Sequence, residues 1–257
     1  MSQDERGFAL PIHVINLDRA PERWAATTQG LSAQGLTARR FAAIDGQRDP
    51  AQVLVRYDEA ASRRHVGAPQ TLGTLACFAS HYALWEAIAE SDGPAVVLED
   101  DLAYQEGFRE ALDLGASLID RCRYLRLCAL HRTRANQEIE ALPGGFRLVR
   151  YRRRAIGSQA YLLSPTGARS LLRHAERWWL PVDDYLDAFW IHDLAALALM
   201  PFRVAHADAG ASFIQGGTQP YRRSRLEYLR FKLNRRLDTL RAEAWLRRHP
   251  PGDSLTP

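Results

Sequence analysis

The sequence predicts an α/β fold: a mostly parallel sheet flanked by helices on both faces, followed by a basic amphipathic C-terminal helical segment. Three observations predict it. Short β-branched runs alternate with stretches of helical periodicity, as expected of strands joined by crossover helices. The run Ala95 to Leu98 has the composition of a buried strand and ends in three consecutive carboxylates, Glu99-Asp100-Asp101, at the point where open α/β sheets hold their ligands. Beyond residue 220, Leu226, Leu229, Leu233, Leu237, Leu240 and Ala244 recur at three- and four-residue intervals with basic residues between them.

In chain order, Ile12 to Leu17 is the first strand. Asp18 is expected to cap a helix that carries Pro21 and Glu22 in its first turn and runs to about Gly30 or Gly35. A strand running straight into a helix start presents backbone N–H groups and nearby arginines to phosphate, and Arg19 and Arg23, four apart, share a helix face. Thr37 to Ile44 is a second strand closing on Asp45-Gly46, where a carboxylate either makes a turn or holds a ribose or base edge. Residues 47 to 70 form a long, partly mobile loop with a short helix near Ala51 to Tyr57. From Leu72 to Glu90 a wide apolar stripe specifies a helix, with Ser80 and His81 inside it, and Ser91-Asp92-Gly93-Pro94 stops it. His81 there is read as either a core or a site residue.

After the acidic triplet, Glu106 to Asp120 is helical, Tyr124 to Leu130 and Phe146 to Tyr151 are strands, and Arg152-Arg153-Arg154 is a basic run. Ser158 to Leu163 is a further strand, and Ser164-Pro165 starts a helix that continues to about Trp178. Asp183, Asp184 and Asp187 form a second acidic cluster, with His192 and Asp193 close behind, and Leu194 to Met200 and Phe202 to Ala205 complete the body. The predicted organisation is a domain over 1–220 and a helical extension over 221–257.

Composition excludes several classes. With 257 residues and 46% hydrophobic content the chain buries a real core. Cys77, Cys122 and Cys128 have no zinc or redox spacing, and their odd number argues against a disulfide framework and for a reducing compartment. The first residues have no charged-then-apolar signal pattern, and no apolar run approaches the roughly 20 residues needed to span a bilayer. The expected location is therefore cytoplasmic or peripheral at the inner face of the membrane. The net charge of +4 is concentrated between Tyr221 and His249, where ten Arg or Lys stand against Glu227, Asp238 and Glu243, so the remainder is slightly acidic. That segment is expected either to pack on the body through its leucines or to touch an anionic membrane surface. No nucleic-acid motif accompanies it, and no nucleic acid is expected as a partner.

Three adjacent carboxylates raise one another's pKa unless the chain separates them or a cation neutralises them, so Glu99-Asp100-Asp101 is read either as a solvated acidic turn after a strand or as the site of a hard divalent metal. Together with Val14-Ile15-Asn16-Leu17-Asp18-Arg19 and Glu22-Arg23, Phe41-Ala42-Ala43-Ile44-Asp45-Gly46, and Gly73-x-x-x-Cys77-x-x-Ser80-His81, this stretch resembles glycosyltransferase family 25. Gly157 to Ser164, Pro181-Val182-Asp183 and Ser212-Phe213-Ile214 continue the resemblance in family order. It departs from the pattern at Thr74, where many relatives carry an acidic residue, and at Ala76, where they carry Gly.

The resemblance implies a GT-A-type, Rossmann-like fold and inverting transfer from a UDP-sugar, most often UDP-galactose, to a hydroxyl of a saccharide acceptor such as lipooligosaccharide, with Mn2+ or Mg2+. It assigns Glu99 and Asp101 to the metal. Asn16, Asp18, Arg19, Arg23, Asp45, Ser80, His81, Glu99 and Asp100 fall on the donor. Asp183 becomes the base, with Asp184 competing and Asp187 behind it. The residues themselves leave His192 and His206 open between a further metal ligand and an ordinary structural histidine, and select neither. A catalytically silent membrane-associated subunit and a nucleotidyltransferase are the alternatives.

Overall fold

The computed structural model describes residues 8–130, 136–207 and 224–251, so Ser212-Phe213-Ile214 and the start of the basic segment lie outside the described residues. The N-terminal half runs β1 (Ile12–Asn16), α1 (Pro21–Ser32), β2 (Arg39–Ala42), α2 (Pro50–Leu54), α3 (Glu59–His65), α4 (Leu72–Ala89) and β3 (Ala95–Glu99). It continues through β4 (Leu102–Tyr104), α5 (Phe108–Cys122), β5 (Tyr124–Arg126), β6 (Asn136–Ala141), β7 (Arg147–Tyr151) and β8 (Ala160–Leu163). The last elements are α6 (Pro165–Arg173), α7 (Val182–Leu186), α8 (Phe189–His192), β9 (Leu197–Met200), β10 (Val204–His206) and α9 (Arg225–Arg248).

Eight strands form one sheet in the order β2-β1-β3-β8-β5-β9-β7-β6, and β4 and β10 form a separate antiparallel pair. In the large sheet β2, β1, β3, β5, β9 and β6 run one way, while β8 and β7 run against them. This is a mostly parallel sheet of the GT-A type with two reversed strands. Both faces are buried, and β3 shows why its sequence is continuously apolar. Val96 and Leu98 enter one core with Leu112 and Ile119 of α5, while Ala95 and Val97 enter the other with Leu75, Phe78 and Trp85 of α4.

The connection through α1 covers the first face and that through α4 covers the second, so a crevice opens beyond the carboxyl ends of β1 and β3. Because β8 is reversed, it is the residues before it, Ser158 and Gln159, that meet this edge; Glu99 N–H donates to the Gln159 carbonyl at 2.8 Å.

Several local expectations are corrected. Asp18 does not cap α1: its carboxylate accepts from Arg40 at 2.7 Å, and the helix starts at Pro21 with Ala20 at the cap position, so Asp18 lies two residues too early to reach the first-turn N–H groups. The stretch 47–70 is more ordered than a loop, because Asp49 and Asp58 cap α2 and α3 through the N–H groups of Gln52 and Ala61. The helix capped by Ser164 ends at Arg173, short of Trp178. Strand β6, whose side chains are largely exposed, has no apolar alternation that would announce it.

For the C-terminal helix, one of the two expectations is overturned. The leucine row is not the packing face. Trp245 is buried, lies tilted against Phe189 with ring centroids 5.0 Å apart, and donates its indole N–H to Asp193 at 2.7 Å. Ala242 and Asp238 are buried beside it, and Asn234 donates to the Arg64 carbonyl of α3. A large indole with a buried hydrogen bond anchors this face, and the leucines point away from it.

Candidate active site

Two cavities meet at the carboxyl edge of the sheet. The first, about 400 Å3, is lined by Ile15, Arg19, Arg23, Ile44, Asp45, Leu72, Cys77, Ser80, His81 and all three of Glu99, Asp100 and Asp101. The second, about 350 Å3, is lined by Thr74, Cys77, Glu99, Ser158, Gln159, Asp183 and Asp184. Cys77 and Glu99 belong to both and form the boundary between them.

The walls of the first cavity are held by hydrogen bonds that reach between elements. Arg19 donates to Asp45 at 2.7 Å. Against a desolvation cost, the Gln47 N–H and Arg19 keep the Asp45 carboxyl below its ordinary pKa. Gly46 beside it has no room for a side chain, since a Cβ would stand 2.7 Å from the Leu72 carbonyl oxygen at the start of α4. Ser80 lines the cavity, but its hydroxyl is committed: it accepts from Ile44 N–H at 2.9 Å and donates to the Ala76 carbonyl at 2.7 Å. Asn16 and Asp18 stand off the wall. Buried Asn16 donates to Asp100 at 2.6 Å and to the Ala20 carbonyl, and accepts from Arg40, so it positions the acidic triplet.

The three carboxylates of the triplet have different surroundings. Asp100 is tied by Asn16 and by Arg23 at 3.0 Å, although burial still raises its pKa. Glu99 receives Ser158 Oγ–H at 2.6 Å and faces His81 Nε2 at 3.3 Å. Burial would raise its pKa, but the His81 and Ser158 donors outweigh burial and hold it below the ordinary value. His81 is oriented from behind. Tyr161 accepts the Trp85 indole N–H and so keeps its own proton for His81 Nδ1, both at 2.8 Å, which leaves His81 Nε2–H directed at Glu99.

Asp101 differs from its neighbours. Its Oδ1 is buried without a hydrogen-bond partner among the described residues, and Oδ2 faces His206 at 3.3 Å. Burial, and then the charge of Glu99, push its pKa to about 6. An orphaned carboxylate oxygen beside two further carboxylates fits a divalent cation. Cys77, His81 and Glu99 also place one potential ligand atom each within 4.8 Å of one another. Burial and then the charge of Glu99 keep the Cys77 thiol protonated, and Glu99 Oε1 already receives two donors, so the unmet charge lies at Asp101.

In the second cavity, Asp184 is clamped by Arg154 at 2.5 Å. Asp187 is buried against buried Arg126 at 2.7 Å and accepts from Ile156 N–H at 2.7 Å, a pair whose separation would destabilise the fold by about 3–5 kcal/mol. Arg126 also donates to the Gly157 carbonyl. Asp183 has no ion-pair partner among the described residues, and burial followed by repulsion from Asp184 lifts its pKa to about 6. His192 is a core residue: fully buried, it sits against the Tyr185 carbonyl and accepts from Leu194 N–H, and burial lowers its pKa to about 4.

Sequence reasoning missed the clamps Arg154 and Arg126, the Trp85–Tyr161 support of His81, and the boundary position of Cys77. The last was legible, since Cys77 and His81 are four apart and share a helix face. The clamps were not, because their partners lie 30 and 61 residues away.

Comparison with known proteins gives the same family as the motifs. Residues 9–186 match the model of glycosyltransferase family 25 (LPS biosynthesis protein). An inactive glycosyltransferase 25 family member 3 from Mus musculus is 30% identical over 215 residues, covering 74% of this chain and 36% of that protein. A glycosyltransferase 25 family member from Aedes aegypti is 29% identical over 184 residues, covering 68% of this chain and 30% of its own length. Procollagen galactosyltransferase 1 from Danio rerio is 27% identical over 201 residues, covering 73% of this chain and 32% of its own length. The chain thus spans about a third of the length of the curated relatives it matches.

Proposed function

Since the chain belongs to glycosyltransferase family 25, we propose that it transfers a sugar, galactose from UDP-galactose, with inversion to a hydroxyl of a cell-surface glycan such as lipooligosaccharide. The observation that carries this reading is the pair of adjoining cavities: one bears arginines and the acidic triplet, the other ends at Asp183, and Glu99 and Cys77 separate them. The first suits a nucleoside diphosphate, with apolar Ile15, Ile44 and Leu72 beside the base and ribose, Asp45 accepting from nucleoside hydroxyls, and Arg19 and Arg23 near the phosphates. The acceptor enters the second.

Asp183 takes the proton from the acceptor hydroxyl. The oxygen then bonds to the anomeric carbon on the face opposite the nucleotide as the bond from that carbon to the diphosphate oxygen breaks, and UDP leaves. Asp184 cannot share this role while Arg154 holds it, and Asp187 is sealed against Arg126. Mn2+ or Mg2+ held by Asp101 and Glu99 would supply positive charge to the leaving diphosphate. Asn16, Arg23 and Ser158 act by fixing the triplet in place.

Incubation with UDP-galactose and Mn2+ is expected to release UDP slowly even without acceptor, and faster with it. No binding or turnover across a panel of nucleotide sugars would overturn the reading. A second reading, a catalytically silent binding subunit, is favoured by the name of the mouse relative. It predicts donor binding with no UDP release above that of Asp183→Asn.

A further inference from the structure

We propose that the outward face of α9 is a docking surface for an anionic lipid bilayer. The inference goes beyond sugar transfer and does not depend on it. Leu226, Leu229, Leu233, Leu237 and Leu240 lie on one side of this helix, exposed by between 39% at Leu237 and 64% at Leu229. At 100° per residue they occupy one stripe of about 80°, a little under a quarter of the circumference. Arg230, Arg241 and Arg248 border it on one side and Arg225, Arg236 and Arg247 on the other, all exposed. The opposite face is already used, by Trp245 on Phe189 and Asp193, by Ala242 and Asp238, and by Asn234 on α3. The helix is therefore fixed to the body with its apolar row turned outward.

Charge selects the occupant. A second copy of the helix facing the first would set rows of arginine against each other, with Glu243 the main exposed acid near the stripe; Glu227 is taken up in capping the helix and in facing Arg63. Nucleic acid would meet the arginines but press phosphates onto five leucines. A bilayer of anionic lipid answers both components, with acyl chains for the leucines and headgroups for the two arginine rows. The helix is 24 residues long, about 36 Å, and would lie in the interface plane, since among the described residues no helix is long and apolar enough to cross a membrane. It is the packed face of α9, at buried Asp238, that feels the charge of Arg154, which pairs with Asp184 in the second cavity.

The test is flotation of the purified full chain with vesicles of phosphatidylcholine alone and of phosphatidylcholine with phosphatidylglycerol in equal parts. Binding is expected to the anionic vesicles only and to weaken with added salt. Each Arg→Gln change at Arg230, Arg236 or Arg241 should weaken it about fivefold. The combined Leu229→Ser, Leu233→Ser and Leu240→Ser variant should lose it while keeping the parent circular dichroism and thermal midpoint, since these side chains are exposed. Equal binding to neutral vesicles, unchanged binding by either set of variants, or a concentration-dependent dimer that the leucine changes abolish would overturn the proposal. No sugar donor is present, so a chain that floats but releases no UDP fails the proposed function and not this surface.

Discussion

The acidic triplet Glu99-Asp100-Asp101 at the end of β3 and the cluster Asp183, Asp184 and Asp187 around α7 are handled alike and left with different needs. In each, two carboxylates are compensated by distant partners: Glu99 by Ser158 and His81, Asp100 by Asn16 and Arg23, Asp184 by Arg154, Asp187 by Arg126. In each, one keeps a pKa near 6. Asp101 sits among further carboxylates with an orphaned oxygen, so a cation relieves it. Asp183 feels Asp184, Asp187 and Glu99, but Arg154 and Arg126 are paired with the first two and its own carboxylate has no ion pair among the described residues, so a proton relieves it. The same burial thus prepares one group for a metal and the other for base catalysis, and the difference lies in the surrounding charges.

The largest expected effect tests the Asp183 side. Asp183→Asn should lower transfer by about 10^2 to 10^4-fold with donor affinity retained, whereas Asp184→Asn should remain active. The rate of the parent should rise as pH rises through about 6, because the base works only when ionised. Its raised folded pKa also means that Asp183 favours the fold at low pH and that this contribution is lost as pH rises through about 6. Asp184→Asn should move the rate midpoint down, since Asp184 repels the charge on Asp183. A dead Asp184→Asn with a normal Asp183→Asn would reverse the assignment.

The Asp101 side predicts a smaller change, read by thermal unfolding. Mn2+ at 100 times its dissociation constant should add about 2.7 kcal/mol to the parent, a rise of roughly 5–10 °C for a chain of this size, and nothing to Asp101→Asn. Equal shifts in both would place the cation elsewhere, with the Cys77, His81 and Glu99 group the first alternative. The smallest effect concerns the support of Glu99. Ser158→Ala removes its 2.6 Å donor and should weaken Mn2+ binding by about tenfold in a titration, with kcat at saturating metal little changed.

Much of this was legible in the sequence. The strands β1 and β3 and the helix α4 follow from periodicity and punctuation, and their order delivers Arg19, Arg23, Asp45, His81 and the triplet to one edge of the sheet. The role of each group within that edge was not legible. Asp18 has the chemistry of a helix cap yet pairs with Arg40, and Asn16 has the position of a donor ligand yet spends its amide on Asp100. The leucines of α9 have the spacing of a packing face, but the anchor is Trp245 on the opposite side.

The sequence by itself determined the α/β order of elements, the residues that reach the crevice and the family, because backbone periodicity, capping and motif order are encoded locally along the chain. Only the tertiary structure decided which carboxylates are neutralised and which are left exposed to the cavities, and which face of α9 packs on the body. A charge is compensated by whatever lies within a few ångströms in space, and the partners that matter here, Arg154 for Asp184, Arg126 for Asp187, Ser158 for Glu99 and Asp193 for Trp245, are 30 to 61 residues away in sequence.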